Sequence, residues 1–313
     1  MRALLKKLLA FAGTLLLVSF LAFLAFQVIP GDPTTKLLGT NATPEQVQAL
    51  RESLGLDKPV LVRFWLWLTD FLHGDFGTSY SYKMPVAEML ADKLPATILL
   101  TVLSFALTAV AAIPLGIAAG SIKNRAADRL FLVLDQAVMA VPPFFLGILI
   151  CFLLGLVLRL FVPGDFVRPQ DDLAGSLHYL LFPALSLALP RIAMTAKMLR
   201  SSIRKEMGQY YVLTARSRGT KPAAVLLRHV LRNAMIPVVT FLAVSAAEIM
   251  TGTIIIEQVF TVPGIGRLLM ASIGNRDFPV VQAIVVLLAA WIVAVNFLAD
   301  IINEWMDPRV RLR

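Results

Sequence analysis

The sequence predicts an all-α integral membrane protein with six transmembrane helices and both termini in the cytoplasm. Three observations carry this. Of the 313 residues, 58% are hydrophobic and 16% charged, whereas a soluble domain is nearer half apolar and a quarter charged. Apolar runs of membrane-crossing length recur six times along the chain. Lysines and arginines collect on alternate sides of those runs, the usual mark of membrane topology.

Crossing a hydrocarbon core of about 30 Å takes about 20 apolar residues. Residues 8–28 and 94–122 meet that length without a charge. Residues 136–158 follow Asp135, and 173–190 precede Arg191. Residues 234–256 contain a single charge, Glu248, and 278–299 lie between Asp277 and Asp300. The first run follows Arg2, Lys6 and Lys7 and resembles a secretory signal at its start. It is longer than the roughly 7–15 residues of a signal's apolar region and ends in Gln27-Val28-Ile29-Pro30, without a small-residue cleavage site. It reads as an anchor. With the N-terminus inside, inner segments hold 18 of the 29 lysines and arginines and outer segments hold 10. Several of the outer ones lie in a long loop, where charge has little say in orientation. The net charge of +9 is therefore a topology signal and calls for no nucleic acid.

The composition also excludes functions. A lone cysteine, Cys151, rules out an internal disulfide framework, and His73, His178 and His229 are too scattered for a metal site. No glycine-rich loop ending in Gly-Lys-Ser/Thr is present, so the chain has no such phosphate cradle and no evident catalytic site. Any energy the chain uses has to come from a partner.

The chain divides into an N-terminal helix (1–30), an extracytoplasmic loop with amphipathic helices (31–93) and a five-helix core (94–313) that includes a cytoplasmic loop at 197–233. In the outer loop, Thr43-Pro44-Glu45-Gln46 reads as a capping box with proline at the first helical position, and Gly55 as a stop. A second outer helix after Pro59 places Leu61, Trp65, Leu68 and Leu72 at helical spacing. That face suits either the lipid interface, where tryptophan is favoured, or an extracytoplasmic partner. In the cytoplasmic loop, Ile203, Met207, Tyr210 and Thr214 recur on one helical face, and Gly219 breaks the helix. Pro222 starts another, with Ala224, Leu227 and Leu231 on one face. By spacing alone, these are two basic helices suited to lying on anionic lipid.

Three charges fall within or beside the spans. Counted from the cytoplasmic ends at about 1.5 Å per residue, Asp135 and Arg191 lie about 9 and 14 Å deep, which permits a salt bridge between the third and fourth spans. Glu248 falls near mid-bilayer, where an amine, a metal cation or a neighbouring subunit would meet it. Pro142, Pro143, Pro183 and Pro190 are expected to kink or break their helices, either as packing irregularities or as bends that shape a pathway.

The order of several short strings carries a family resemblance. Tyr211-Val-Leu-Thr-Ala-Arg-Ser-Arg-Gly219 and Leu227-Arg-His-Val-Leu-Arg-Asn-Ala-Met-Ile-Pro237 resemble the cytoplasmic signature loop of binding-protein-dependent ABC permeases. They are most similar to the dipeptide, oligopeptide and nickel branch. Pro30-Gly-Asp-Pro33, Leu54-Gly-Leu-Asp-Lys-Pro59, Gly74-Asp-Phe-Gly77, Leu94-Pro-Ala-Thr97 and Pro142-Pro-Phe144 continue the likeness. So do Glu257-Gln-Val-Phe260, Pro263-Gly-Ile-Gly266, Arg276-Asp-Phe-Pro279 and Asp307-Pro-Arg309. The resemblance implies a type I ABC importer permease fold in the bacterial inner membrane, with no cofactor of its own. It also implies a second, homologous permease, two ATP-binding subunits that use ATP and magnesium, and an external substrate-binding protein. Within the cytoplasmic loop it makes Tyr211, Thr214, Ala215 and Gly219 coupling residues for the ATPase, and it replaces the lipid-only reading. The family often has an acidic residue where Tyr210 stands. Glu248, Arg191 and Asp135 are the substrate-path candidates. Peptide is the first expected cargo, with nickel or another small solute as the alternative. A stand-alone secondary transporter would need internal repeats, and none is evident. A membrane-anchored sensor or scaffold would need a sizeable soluble domain, and the longest outer segment is only about 63 residues.

Overall fold

The computed structural model describes residues 2–28, 43–53 and 57–306. The string at Pro30-Gly-Asp-Pro33, the stop at Gly55 and the end at Asp307-Pro-Arg309 lie outside them. The described residues are helical almost throughout. Five helices are long and apolar enough to cross a membrane, and a bent pair makes a sixth candidate span.

The fold clusters into two units, the first comprising residues 1–95 and 265–293. In it, α1 (Arg2–Val28) carries the first span. Helix α2 (Pro44–Ser53) opens with the expected capping box: Thr43 Oγ1 accepts from Gln46 N at 3.4 Å, and Gln46 Oε1 accepts from Thr43 N at 3.0 Å. Helix α3 (Val60–Leu72) packs on α1 through Phe64, whose ring meets Phe20 and Phe23 edge-on at 5.0 and 5.6 Å. Trp67 extends the aromatic row to Phe71, and Phe71 to Phe76. Leu61, Trp65 and Leu72 of the expected face are exposed, and a second stripe of Phe64, Trp67 and Phe71 turns inward. Helix α3 is apolar nearly all round, so spacing offers two stripes; the phenyl rings on α1 select the aromatic one.

Helix α4 (Val86–Ser121) and helix α11 (Phe278–Met306) each contribute to both units, while α10 (Ile265–Gly274) belongs to the first. The second unit comprises residues 96–264 and 294–313 and includes the remainder of α4. Helix α5 (Arg125–Ala140) starts at Asn124, whose side chain accepts from Ala126 N at 2.8 Å. Helix α6 (Pro143–Val157) follows at 93° to it. The third span expected over 136–158 is thus a bent pair, broken where Pro142 and Pro143 were expected to kink or break it. The cause is local: Val141 and Pro142 both precede a proline, and both are extended, at ψ 123° and 142°. Clash with the following ring removes the helical conformation from each.

Pro183 and Pro190 behave otherwise. Both lie inside α7 (Leu173–Met207), which continues unbroken through them and well past the expected end at Pro190. Burial of Phe182, Pro183, Ala184 and Leu187 holds that segment helical against the proline penalty. Helix α7 is the hub of the second unit and packs against α5, α6 and α9 (Pro222–Val259). It meets α4 through glycines. A Cβ on Gly116 would lie 2.7 Å from Leu199 Cβ, and one on Gly120 would lie 2.9 Å from Ile203 Cγ2. Gly116-Ile-Ala-Ala-Gly120 is the small-xxx-small spacing that lets two membrane helices approach closely.

Candidate functional site

After α7 the chain folds into a knob made by α8 (Tyr210–Ser217) and the first turns of α9. Gly208 and Gln209 interrupt the helix, so the face expected to run from Ile203 to Thr214 is not continuous: Ile203 is fully buried and Tyr210 is 89% exposed. The end of α8 is the expected one. Gly219 adopts φ 79°, its N–H donates to Arg216 O at 2.9 Å, and Thr220 N–H donates to Ala215 O at 3.2 Å. That pair of bonds is a Schellman cap, which needs a left-handed residue and therefore favours glycine.

Pro222 begins α9 as expected, but the inward residues are Val225 and Val230, and Leu227 is exposed. Residues Val225–Val230 are π-helical, and the wider turn brings positions five apart onto one face. A 3.6-residue period applied to Ala224, Leu227 and Leu231 misses this. Val212 of α8 joins Val225, Val230, Leu199 and Ile203 in one buried cluster, with Ala215 packed against it. The knob is thus fixed to the end of α7 by its own core.

Tyr211 donates its hydroxyl proton to Glu206 Oε2 at 2.6 Å. Partial burial raises the phenol's pKa, the bond to Glu206 raises it further, and a hydrogen bond with Asn233 opposes both. The hydroxyl therefore stays protonated and able to donate at neutral pH. Thr214 bonds back to Tyr210 O at 3.2 Å. The apolar surface that the knob presents comes from Tyr210, Leu213, at 64% exposure, and Leu227.

The charges in the spans pair differently from the expected Asp135–Arg191 bridge. Arg191 Nη1 donates to Glu248 Oε2 at 2.5 Å, linking α7 to α9. Asp135, whose side chain is 2% exposed, faces Lys197 Nζ at 3.9 Å, and Lys197 donates to Gln136 Oε1 at 3.0 Å. Equal depth was a sound criterion for reach but not for direction: Arg191 and Lys197 sit six residues apart on α7, and their side chains leave it toward different neighbours.

Sequence reasoning missed a third contact. Asp128, near the start of α5, accepts from Arg200 and Arg204, one helical turn apart on α7. Arg200 uses Nε and Nη2 on the same carboxylate, at 2.7 to 3.0 Å. Arg204 Nη2 also reaches Ile122 O at 3.3 Å. The four-residue spacing of the arginines was a readable signal, but their partner lies 72 residues away from Arg200.

Two further carboxylates bring distant short strings together. Asp277, fully buried, accepts from Ser79 Oγ at 2.5 Å and from the N–H groups of Tyr80 and Ser81 at 2.9 and 3.2 Å. It ties the turn after Gly77 to the string that begins at Arg276. Glu257, also fully buried, accepts from Thr97 Oγ1 at 2.6 Å, and a Cβ on Gly264 would lie 2.3 Å from its carboxylate. Strings at 94–97, 257–260 and 263–266 therefore converge on one acid.

Comparison with known proteins gives these contacts a family. Residues 112–312 match the family described as binding-protein-dependent transport system inner membrane component, and residues 1–101 match its N-terminal part. The chain belongs to this family. A Brucella abortus protein named as a peptide transport system permease is 38% identical over 297 residues, covering 95% of both chains. The permease protein of a glutathione transport system in Salmonella paratyphi A is 36% identical over 309 residues, 99% of this chain and 98% of the relative. A protein of Sinorhizobium fredii named as a peptide ABC transporter permease is 32% identical over 307 residues, 98% of both. As a member of this family the chain is an inner membrane transport permease and not itself an enzyme. Its transport system depends on a binding protein, as the family description states.

Proposed function

We propose that this chain is one permease subunit of an ATP-driven importer that carries peptides delivered by an extracytoplasmic binding protein. The observation that carries the reading is likeness along nearly the whole chain to permeases named for peptide and glutathione transport. Glutathione is itself a tripeptide, so the two substrate names describe one chemical class. Both termini face the cytoplasm, residues 31–93 lie outside, and 94–313 form the core around the path. A second, homologous permease completes the pathway, and two ATPase subunits, with their ATP and magnesium, dock on the loop at 197–233. This chain holds no cofactor. A nickel or other small-solute system stands as the alternative cargo.

The knob at the end of α7 is the coupling element. Its fixed core allows a push on α8 to move α7 as one body, and Tyr211, Thr214, Ala215 and the cap at Gly219 shape the docking surface. Nucleotide drives the path between inward- and outward-facing states only by binding them with different affinity. Arg191 and Glu248 lie on the path, and Asp135 is closed off from it beside Lys197.

Co-purification of the cognate ATPase tests the coupling assignment. Gly219→Trp strains the left-handed cap, and Leu213→Asp alters the exposed face while leaving the cap intact. Both variants are expected to reach the membrane at wild-type levels and to lose the ATPase, by roughly tenfold or more for a buried apolar contact made charged. Retention by both variants excludes the loop as docking site. Absence of ATPase from the wild type reopens the reading as a solitary transporter.

A further inference from the structure

Only one ion pair joins two spans while leaving its carboxylate largely open among the described residues. Glu248 is 57% exposed along its side chain and Arg191 is 22% exposed, whereas Asp135 is closed at 2%. An open carboxylate at the middle of a span is costly against lipid and stable against water or protein. The surrounding face agrees. From 241 to 259 the exposed positions of α9 are Val244, Glu248, Thr251, Ile255 and Gln258, at alternating steps of four and three. That is one stripe along the helix, and three of its five residues are polar. Its polar members run from Glu248 to Gln258 near the end of the helix, so the pair lies at the inner end of a wettable track. Satisfied within its own chain, the pair needs no second subunit to neutralise it.

We propose that Arg191 and Glu248 are the charge-reading point of an aqueous path. There their mutual ion pair opens and is exchanged for the ends of a zwitterionic peptide: its free ammonium at Glu248 and its free carboxylate at Arg191. The inference rests on the peptide reading above for its ligand, and on the stripe for its position. The exchange is charge-balanced. Two salt contacts replace one, and no bare charge is left in the membrane while the substrate is held. Glu248, the more open partner, is met first. Asp135 takes no part in contact with the substrate.

The test uses the assembled transporter in proteoliposomes, with Cys151→Ala and Thr251→Cys introduced into this chain. Cationic aminoethyl and anionic sulfonatoethyl methanethiosulfonate are the first probes. Both are expected to modify the cysteine at position 251. Adding Glu248→Gln is expected to lower the cationic-to-anionic rate ratio roughly tenfold, the worth of one charge-assisted contact. Trialanine is the second probe. Its uptake is expected to fall roughly tenfold to a hundredfold in Glu248→Gln and in Arg191→Gln, with Glu248→Asp recovering part of the loss. A cysteine at position 251 closed to both reagents overturns the proposal, as does wild-type trialanine uptake in both Gln variants. Either result leaves the peptide reading standing. A Glu248-dependent reagent ratio without trialanine uptake in the wild type retires the peptide reading and supports the place of the pair on an aqueous path.

Discussion

Toward its C-terminal end, α7 holds Arg200 and Arg204 in a closed contact with Asp128. Nine residues before Arg200 it holds Arg191 in an open contact with Glu248. The two contacts use the same chemistry and differ in saturation. Asp128 accepts five N–H contacts, filling both oxygens, and Arg200 is nearly buried. Glu248 accepts on one oxygen from one nitrogen and keeps most of its surface. A saturated carboxylate has no capacity left for a ligand and fixes geometry instead. An unsaturated one within a span has been left available. Fork-shaped guanidinium pairing suits the first role, because two parallel bonds set orientation as well as distance. The closed contact stands next to the knob formed by α8 and the first turns of α9, and the open one near mid-span. The division of labour follows the direction in which force and substrate would travel.

The largest expected effect breaks the closed side. Asp128→Ala leaves two guanidiniums facing each other without their carboxylate, one of them almost without solvent. Leaving the nearly buried Arg200 cation without its carboxylate is among the more damaging kinds of substitution. The thermal midpoint of the detergent-solubilised chain is expected to fall by roughly 5–10 °C. A midpoint unchanged within error would show that the contact is ornamental and erase the contrast.

Much of the architecture was legible because membranes impose long apolar runs with few exceptions. Helix α2, its cap, the stop at Gly219 and the restart at Pro222 all follow from local stereochemistry, which sequence records directly. Two kinds of feature were not legible. The first is helix phase: the π-helical turn at Val225–Val230 shifts the inward face, and a uniform period of 3.6 cannot register it. The second is the identity of partners across long separations. Arg191 meets Glu248 and not Asp135 because side chains leave α7 in different directions, and depth counts residues without fixing direction. Pro142 and Pro183 make the same point within one residue type. Two successive pre-proline residues turn the chain by 93° at Pro142, while a buried, well-packed neighbourhood carries the helix through Pro183.

A smaller effect sharpens the closed side. Arg200→Lys keeps the charge and loses the fork, so one ammonium replaces two nitrogens that share both oxygens of Asp128. A midpoint lower by roughly 3–5 °C is expected, between wild type and Asp128→Ala. Equality with wild type would mean that charge alone holds the contact. In that case the geometric role assigned to this end of α7 would fail.

The smallest expected effect on stability falls on the open side, and it is the most informative about pairing. Arg191→Glu sets two carboxylates against each other, yet Glu248 can turn into the space it already faces. The midpoint is therefore expected to drop by only about 2–3 °C. Combining it with Glu248→Arg rebuilds the contact in reverse, and the midpoint is expected to return to within about 1 °C of wild type. Asp135→Arg in place of Glu248→Arg is expected to give no rescue, because that carboxylate already faces Lys197 in a closed site. Rescue through Asp135 would restore the bridge that depth alone suggests. Rescue through Glu248 with transport still lost is the most discriminating result. It would show that the polarity of the pair, not merely its presence, matters to what passes, as expected where a substrate's two ends are told apart by which charge lies more open.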